Sequence, residues 1–164
     1  MKLTTLASAA LAFYSFILPA SAADDPALAR LAHCQDSWAD WNKSDPARLK
    51  AFVEHFQTQF SRNGNDPLFV PKQPMSIAGL RVTQAFPQSI GMGVGFSLTV
   101  DATFDEARAA MQKAIGKPLQ KCESGDGMRT CEREIAPQRT FTLMAEDDAK
   151  SLGTLIGCYY FYEK

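Results

Sequence analysis

Histidine is almost missing from this sequence, which contains only His33 and His55. Hydrolysis through a serine or cysteine nucleophile needs a base, usually a histidine, that a third group holds in place. His33 directly precedes Cys34, and His55 lies between apolar positions of a helical pattern, so both are predicted to be helix-face residues. The scarcity of histidine therefore argues against a hydrolase, and we expect no catalytic residue.

Metal and phosphate motifs are missing as well. The four cysteines form no Cys-x-x-Cys, and neither histidine stands at a zinc-like spacing from them. Gly91, Gly93 and Gly95 alternate within a predicted strand, whereas a phosphate-binding glycine motif lies between a strand and a helix. Acids at close spacing, such as Glu132 and Glu134, are typical of a solvated face. The sequence predicts no metal and no cofactor.

Neither sign of charge is in excess, because 17 lysines and arginines stand against 18 aspartates and glutamates. Proteins that bind nucleic acid through its phosphates usually carry a clear positive excess or a basic patch. A near-neutral balance therefore argues against nucleic acid and against a strongly anionic membrane surface as the partner.

Long apolar runs are confined to residues 1–22. Lys2 gives this segment a positive start, residues 3–18 are mostly apolar, and the segment ends in Pro-Ala-Ser-Ala, a small-x-small cleavage sequence. This is the layout of a secretory signal peptide, cleaved near Ala22. A transmembrane anchor is disfavoured because the apolar run is shorter than about 20 residues. We predict an exported, periplasmic protein in which residues 23–164 form a single domain without a membrane span; its oligomeric state is left open.

Residues 89–101 organise the predicted domain. Their apolar side chains alternate with serine, glycine, threonine and aspartate, which indicates a strand with one apolar face. Glycine is unfavourable inside a strand and often marks a close approach by a ligand or another backbone. We predict a central strand with helices on its apolar face. The glycine face is either open or filled by aromatic side chains of an adjacent strand.

Two further patterns predict the helices. Asp-Asp-Pro26 and Ser-Asp-Pro46 each mark a helix start, and apolar residues then recur every three or four positions up to Trp41 and Phe60. This predicts an antiparallel helical hairpin. Thr103 and Glu106 have the spacing of a capping box, which predicts one further helix ending near Gly116.

The other segments predict strands and connections. Residues 77–86 are predicted to form a strand that ends in a corner at Pro87, and residues 140–145 and 154–162 are predicted to form two more strands. Residues 63–73 contain turn chemistry around Phe69 and Val70, so they are either a functional connection or an extended segment packed on the core. The expected fold class is α+β, with the helices on one face of a largely antiparallel sheet.

The cysteines predict two disulfides. A type I′ turn at Asp126-Gly127 would place Cys122 directly opposite Cys131 in a non-hydrogen-bonded pair, where a disulfide fits. Cys34 and Cys158 are then left for each other, one of three connectivities that four cysteines allow. An exported protein would keep both bridges.

The architecture carries a resemblance to known proteins. A signal peptide, a helical hairpin over an antiparallel sheet and two disulfides without a catalytic set resemble small exported bacterial inhibitors and immunity proteins. Residues 117–122, Lys-Pro-Leu-Gln-Lys-Cys, and the tail 157–164 also look like those of small periplasmic proteins. The resemblance implies a protein partner, a toxin or an envelope-acting enzyme, bound without turnover. The alternatives are a binding module for a small ligand or envelope component and, third, a small hydrolase.

Side-chain parity predicts where such a partner binds. If Cys158 faces the first helix, Tyr159 and Phe161 face the same side as the glycines of the central strand. Aromatic side chains are favoured in the centres of interfaces. If these aromatics lie directly over the glycines, the face is already filled. The predicted partner-binding residues are Gly91, Gly93, Gly95, Tyr159 and Phe161, with Phe69 and Val70 as a second contact at the sheet edge.

Overall fold

The computed structural model describes residues 24–62, 64–90, 93–148 and 150–162, and the predicted signal peptide lies outside them. The described residues form an α+β fold of four helices and nine strands, which confirms the predicted fold class. The helices are α1 Pro26–Ala32, α2 Trp38–Ser44, α3 Pro46–Gln59 and α4 Phe104–Ile115. The strands are β1 Phe60–Arg62, β2 Phe69–Pro71, β3 Ser76–Ile77, β4 Leu80–Ile90, β5 Gly93–Val100, β6 Lys121–Gly125, β7 Met128–Ala136, β8 Arg139–Glu146 and β9 Thr154–Phe161.

The strands form one sheet in the order β1-β2-β4-β5-β9-β8-β7-β6, with β3 added beside β4. Neighbouring strands in this order pair antiparallel. The predicted central strand is β5, which pairs along its length with β4 on one side and β9 on the other. β6 forms one edge of the sheet.

The helices cover one face of this sheet. Phe96 of β5 lies at the centre of the contact, with its ring centroid 6.0 Å from that of Trp38, 6.1 Å from Phe52 and 6.2 Å from Phe56. At the other end of the sheet, the Arg129 guanidinium stacks over Phe104 of α4. Large buried side chains on this face belong to Phe96, Leu98, Val100, Phe141, Leu143 and Ile156.

The predicted first helix is wrong in one respect, because it is two helices with a turn between them. Cys34 has a φ of 58°, a left-handed conformation that cannot continue an α-helix. The hydroxyl of Ser37 then accepts a backbone N–H and starts α2. Arg139 of β8 donates to the carbonyl oxygens of Cys34 and Gln35 at 3.3 and 2.9 Å, which fixes this turn. α2 still packs on α3, with the ring centroids of Trp41 and Phe52 5.4 Å apart.

The predicted corner at Pro87 is also wrong, because β4 runs through this residue to Ile90. Pro87 lies opposite Phe96 of β5. On its other side β4 is paired with β2 at Ala85 alone among the described residues, so Pro87 lies at a stretch of free edge. A proline there removes no ladder hydrogen bond, which is why the strand tolerates it. The connection between β4 and β5 falls at residues 91–92, outside the described residues.

Both predicted disulfides are confirmed. Cys122 lies opposite Cys131 in the β6–β7 hairpin, and the turn residues Asp126 and Gly127 have φ values of 53° and 75°, as a type I′ turn requires. The second bridge joins Cys34 to Cys158 and closes a sequence separation of 124 residues. The first bridge fixes one edge of the sheet, and the second ties the helical layer to the strand next to β5.

Candidate functional site

The face of the sheet opposite the helices is the candidate site, and we call it the open face. The aromatic side chains of α2 and α3 pack on the other face, around Phe96. The open face is formed by Gln84, Phe86 and Gln88 of β4; Gly93, Gly95, Ser97 and Thr99 of β5; Leu155, Gly157, Tyr159 and Phe161 of β9; Thr140, Thr142 and Met144 of β8; Thr130, Glu132 and Glu134 of β7; and Lys121 and Glu123 of β6.

Tyr159 and Gly95 are directly opposite each other at the centre of the open face. A Cβ atom at Gly95 would lie 2.5 Å from Cδ1 and 2.6 Å from Cε1 of the Tyr159 ring. The ring therefore occupies the space that a side chain at position 95 would need. The filled alternative therefore holds at Gly95, and the face is open only in the sense that the helices pack on the other side of the sheet.

The Tyr159 hydroxyl belongs to a small polar cluster with Gln88 and Ser97. The Gln88 amide donates to Ser97 Oγ at 2.8 Å and to the Tyr159 hydroxyl at 3.0 Å, and the two hydroxyl oxygens are 3.1 Å apart. Gly157 leaves the room for this cluster, because a Cβ there would lie 2.8 Å from Ser97 Oγ. The three side chains come from three adjacent strands, so their hydrogen bonds hold the centre of the open face in one arrangement.

This cluster is not arranged for nucleophilic catalysis. Ser97 is fully buried, with 0% of its surface exposed, and its hydroxyl partners are an amide and a phenol. A nucleophilic serine needs both access to substrate and a base within hydrogen-bond reach. His55 pairs with Asp25 at 2.6 Å instead, on the helical side of the molecule.

Phe161 and Gly93 lie at the end of the open face, paired across β9 and β5. Phe161 is 47% exposed, which is unusual for a side chain of this size. A Cβ at Gly93 would lie 2.7 Å from the carbonyl oxygen of Tyr160 and 3.2 Å from the Phe161 ring, so this glycine is also in close contact. Gly91, the third glycine of the predicted set, lies outside the described residues.

Phe69 and Val70, the predicted second contact, point to opposite sides of the sheet. The Phe69 ring packs edge-on against Phe56 of α3, with centroids 5.1 Å apart, so Phe69 belongs to the covered face. By strand alternation Val70 points the other way, and it is 40% exposed. The structure brings Tyr159, Phe161, Gly93 and Gly95 together, and it separates Phe69 from them.

One end of the open face is acidic, a feature that was not predicted for the site, because Glu132 and Glu134 were assigned only to a solvated face. Glu132 and Glu134 of β7 and Glu123 of β6 are exposed there, and the described residues offer none of them an ion pair. They border a concavity of about 360 Å³ beside the hairpin and a second of about 260 Å³ next to Thr140. The sequence pattern that could have predicted this acidic end is the pair Glu132 and Glu134, because a strand places alternate residues on the same face.

The charged side chains on the helical side of the sheet stabilise the helices. Asp36, in the turn before α2, accepts hydrogen bonds from Arg30 at 2.6 Å and from Arg48 at 2.5 Å. The hydrogen bond from Arg30 holds the pKa of Asp36 below its usual value, and the positive charges of Arg30, Arg48 and Arg139 add to this effect while burial opposes it. Burial lowers the pKa of His33, with Asp24 acting weakly in the other direction. These groups support the helices and do not reach the open face.

Neither a metal-binding cluster nor a membrane-spanning helix occurs among the described residues. They contain no group of three or more histidine, cysteine, aspartate or glutamate side chains that could hold a metal ion. They also contain no helix long and apolar enough to cross a membrane.

No protein-family model, curated protein or solved structure matches this chain. The functional assignment therefore depends on the residues of the open face themselves.

Proposed function

We propose that this chain is an exported, non-catalytic binding protein that acts in the periplasm as an immunity-type inhibitor. In this proposal it neutralises a toxin or an envelope-acting enzyme by direct contact, and the open face is the contact surface. The observation that carries the proposal is the asymmetry of the sheet: helices cover one face, and the other face is a hydrogen-bonded, largely polar surface with an exposed aromatic residue, Phe161, at its end.

The order of the open face supports a binding role. The hydrogen bonds among Gln88, Ser97 and Tyr159 are already made, so a partner does not have to order these side chains on binding. Surfaces arranged in advance bind more tightly than mobile ones, because less conformational entropy is lost. Phe161 would supply a large exposed apolar contact of the aromatic type that protein interfaces favour.

The polar character of the concavity beside the hairpin favours a protein partner over a small ligand. Its lining includes Lys121, Glu123, Thr130 and Glu132, and it opens to solvent. Small-molecule sites are usually enclosed and mainly apolar, with a few polar groups. A broad surface with polar groups at its margin is instead typical of a protein interface.

Export is supported by the cysteines and by the first 22 residues. All four cysteines are in disulfides. Disulfides persist in oxidising compartments such as the periplasm and are rare in the cytosol. The positive start, apolar run and small-x-small end of residues 1–22 have the layout of a signal peptide.

The test is affinity capture from an envelope extract, followed by reconstitution with the captured protein. Wild type and two variants serve as bait: Phe161→Ser removes an aromatic from the open face, and Val53→Ser removes an apolar side chain of similar exposure from α3. We expect wild type and Val53→Ser to retain the same protein and Phe161→Ser to lose at least about tenfold in affinity. The purified partner should lose its own activity when wild type is added. Equal affinity of all three baits, or a partner bound without any loss of activity, would contradict the proposal.

A further inference from the structure

β6 is a free edge of the sheet. It pairs with β7 on one side, and no described strand pairs with its other side. All five residues of β6, Lys121 to Gly125, are exposed. An exposed edge strand presents unpaired backbone N–H and C=O groups, to which another strand can add.

The hairpin register fixes which groups are unpaired. Gly125 and Met128 flank the two-residue turn and form a hydrogen-bonded pair, and such pairs alternate with non-hydrogen-bonded ones along the hairpin. Cys122 and Ser124 therefore direct their N–H and C=O groups away from β7, into the free edge. The turn and the Cys122–Cys131 disulfide hold β6 in an extended conformation, so little entropy is lost when a strand adds to it.

The charged side chains of β6 indicate which strand would pair with its free edge. Lys121 and Glu123 lie on the open face, both are exposed, and neither forms an ion pair with a described residue. If β6 pairs antiparallel with β6 of a second copy around a two-fold axis at Cys122, Lys121 lies opposite Glu123 of the second copy, and Glu123 lies opposite its Lys121. Opposite charges directly across two strands stabilise their pairing.

The neighbouring registers are disfavoured by the same two side chains. A two-fold axis at Lys121 would place two lysines opposite each other, and an axis at Glu123 would place two glutamates opposite each other. Lysine on an edge strand usually discourages pairing because of such repulsion. The register centred on Cys122 avoids it and places Lys121 between Glu132 on β7 and Glu123 of the second copy.

We propose that this protein forms a homodimer by antiparallel pairing of β6 with β6 of a second copy, centred on Cys122. The two-fold axis is perpendicular to the sheet, so the two sheets join edge to edge. Both open faces then lie on the same side of the dimer, and the helices lie on the other. This proposal does not depend on the proposed function, because pairing at the edge requires no partner protein.

Charge exchange tests the register. Sedimentation equilibrium of the purified protein from micromolar to millimolar concentration should give a monomer–dimer equilibrium for wild type. Lys121→Glu and Glu123→Lys each place like charges opposite each other twice, so each should raise the dimer dissociation constant by at least about tenfold. The double variant K121E/E123K exchanges the two charges and restores both opposite pairs, so it should return to wild-type dimerisation. Lys50→Glu and Glu54→Lys, which alter a surface ion pair on α3, are matched controls that should leave the mass unchanged.

Ser124→Pro provides a second variant. It removes an outward N–H of the free edge without removing a hydrogen bond to β7, so it should weaken the dimer while circular dichroism stays that of the wild type. A wild-type protein that is monomeric over the whole range would overturn the proposal. So would a dimer that is unaffected by the single charge variants, or one that K121E/E123K fails to restore.

Discussion

The aromatic ring of Tyr159 lies over Gly95, so close that a Cβ at position 95 would be 2.5 Å from the ring. The two residues are cross-strand partners on β9 and β5. This contact explains why the central strand carries glycine at a position where strand propensity disfavours it. The absence of a side chain at Gly95 leaves room for the Tyr159 ring. The hydroxyl of this tyrosine, on β9, then forms hydrogen bonds with Gln88 of β4 and Ser97 of β5.

Gly95→Ala should therefore lower the free energy of unfolding by about 1–3 kcal/mol, because the added methyl group overpacks the contact with Tyr159. Urea denaturation measures this loss. Gly125→Ala on β6 is the matched control, since a Cβ there meets nothing within 4 Å and alanine is normally better than glycine in a strand. An equal loss in both variants would show that the effect is not due to the ring. In a Tyr159→Ala background, Gly95→Ala should cost less than it does in the wild type.

The two disulfides should differ in their contribution to stability. Chain entropy predicts about 4–5 kcal/mol for Cys34–Cys158 and about 2.5–3 kcal/mol for Cys122–Cys131, because the first closes a much longer loop. The paired variants Cys34→Ala/Cys158→Ala and Cys122→Ala/Cys131→Ala, compared by urea denaturation, measure the difference. A larger loss from the hairpin pair would mean that local strain or residual structure in the unfolded chain outweighs loop length.

His33 should make stability depend on pH just below neutrality. Burial lowers the pKa of His33 in the folded state, so the unfolded chain takes up a proton first as the pH falls below about 6.5. The stability given by the neutral ring is complete above that pH and is lost as the pH falls towards the folded-state pKa. The urea midpoint of wild type should therefore fall more between pH 7.5 and 5.5 than that of His33→Gln. Parallel pH profiles for the two proteins would exclude this role for His33.

Arg139 should stabilise the turn between α1 and α2. Its guanidinium donates to two carbonyl oxygens in this turn and to Asp40 of α2 at 2.7 Å. Arg139→Ala leaves these acceptors without their partner and should cost about 1–3 kcal/mol in urea denaturation. Arg62→Ala is the control, because Arg62 is exposed and its Nε donates to the single carbonyl oxygen of Asp66. A loss as small as that of the control would show that Arg139 does not hold the turn.

The patterns that depend on strand parity were sufficient to predict the sheet. Alternation gave the two faces of β5 and β9, and the Asp126-Gly127 turn gave the pairing of Cys122 with Cys131. Parity is a local property, because each residue simply reverses the side of its predecessor. It therefore survives even where the ends of the strands are predicted wrongly.

The wrong predictions, a continuous first helix and a corner at Pro87, have a different origin. The break before α2 occurs at Cys34, which is neither glycine nor proline, and the turn is held by Arg139, distant in the sequence. Pro87 was predicted to end a strand, but β2 pairs with β4 at Ala85 alone among the described residues, which leaves Pro87 at a free edge. Likewise, the glycine pattern could not tell whether Tyr159 lies over Gly95, because that depends on which strand is the neighbour of β5. Each of these features is set by contacts between distant segments, which local patterns do not contain.

The Cys34–Cys158 bridge also changes what a protease can do to this protein. A single backbone cut at any bond between these residues leaves the two fragments covalently joined by the bridge, and a cut in an exposed turn such as the one at Asp66 leaves the core strands in place. In denaturing gel electrophoresis without a reductant, the cleaved molecule would migrate as one species; after reduction it would separate into two fragments. The bridge therefore keeps the two parts of the molecule together after a first cleavage.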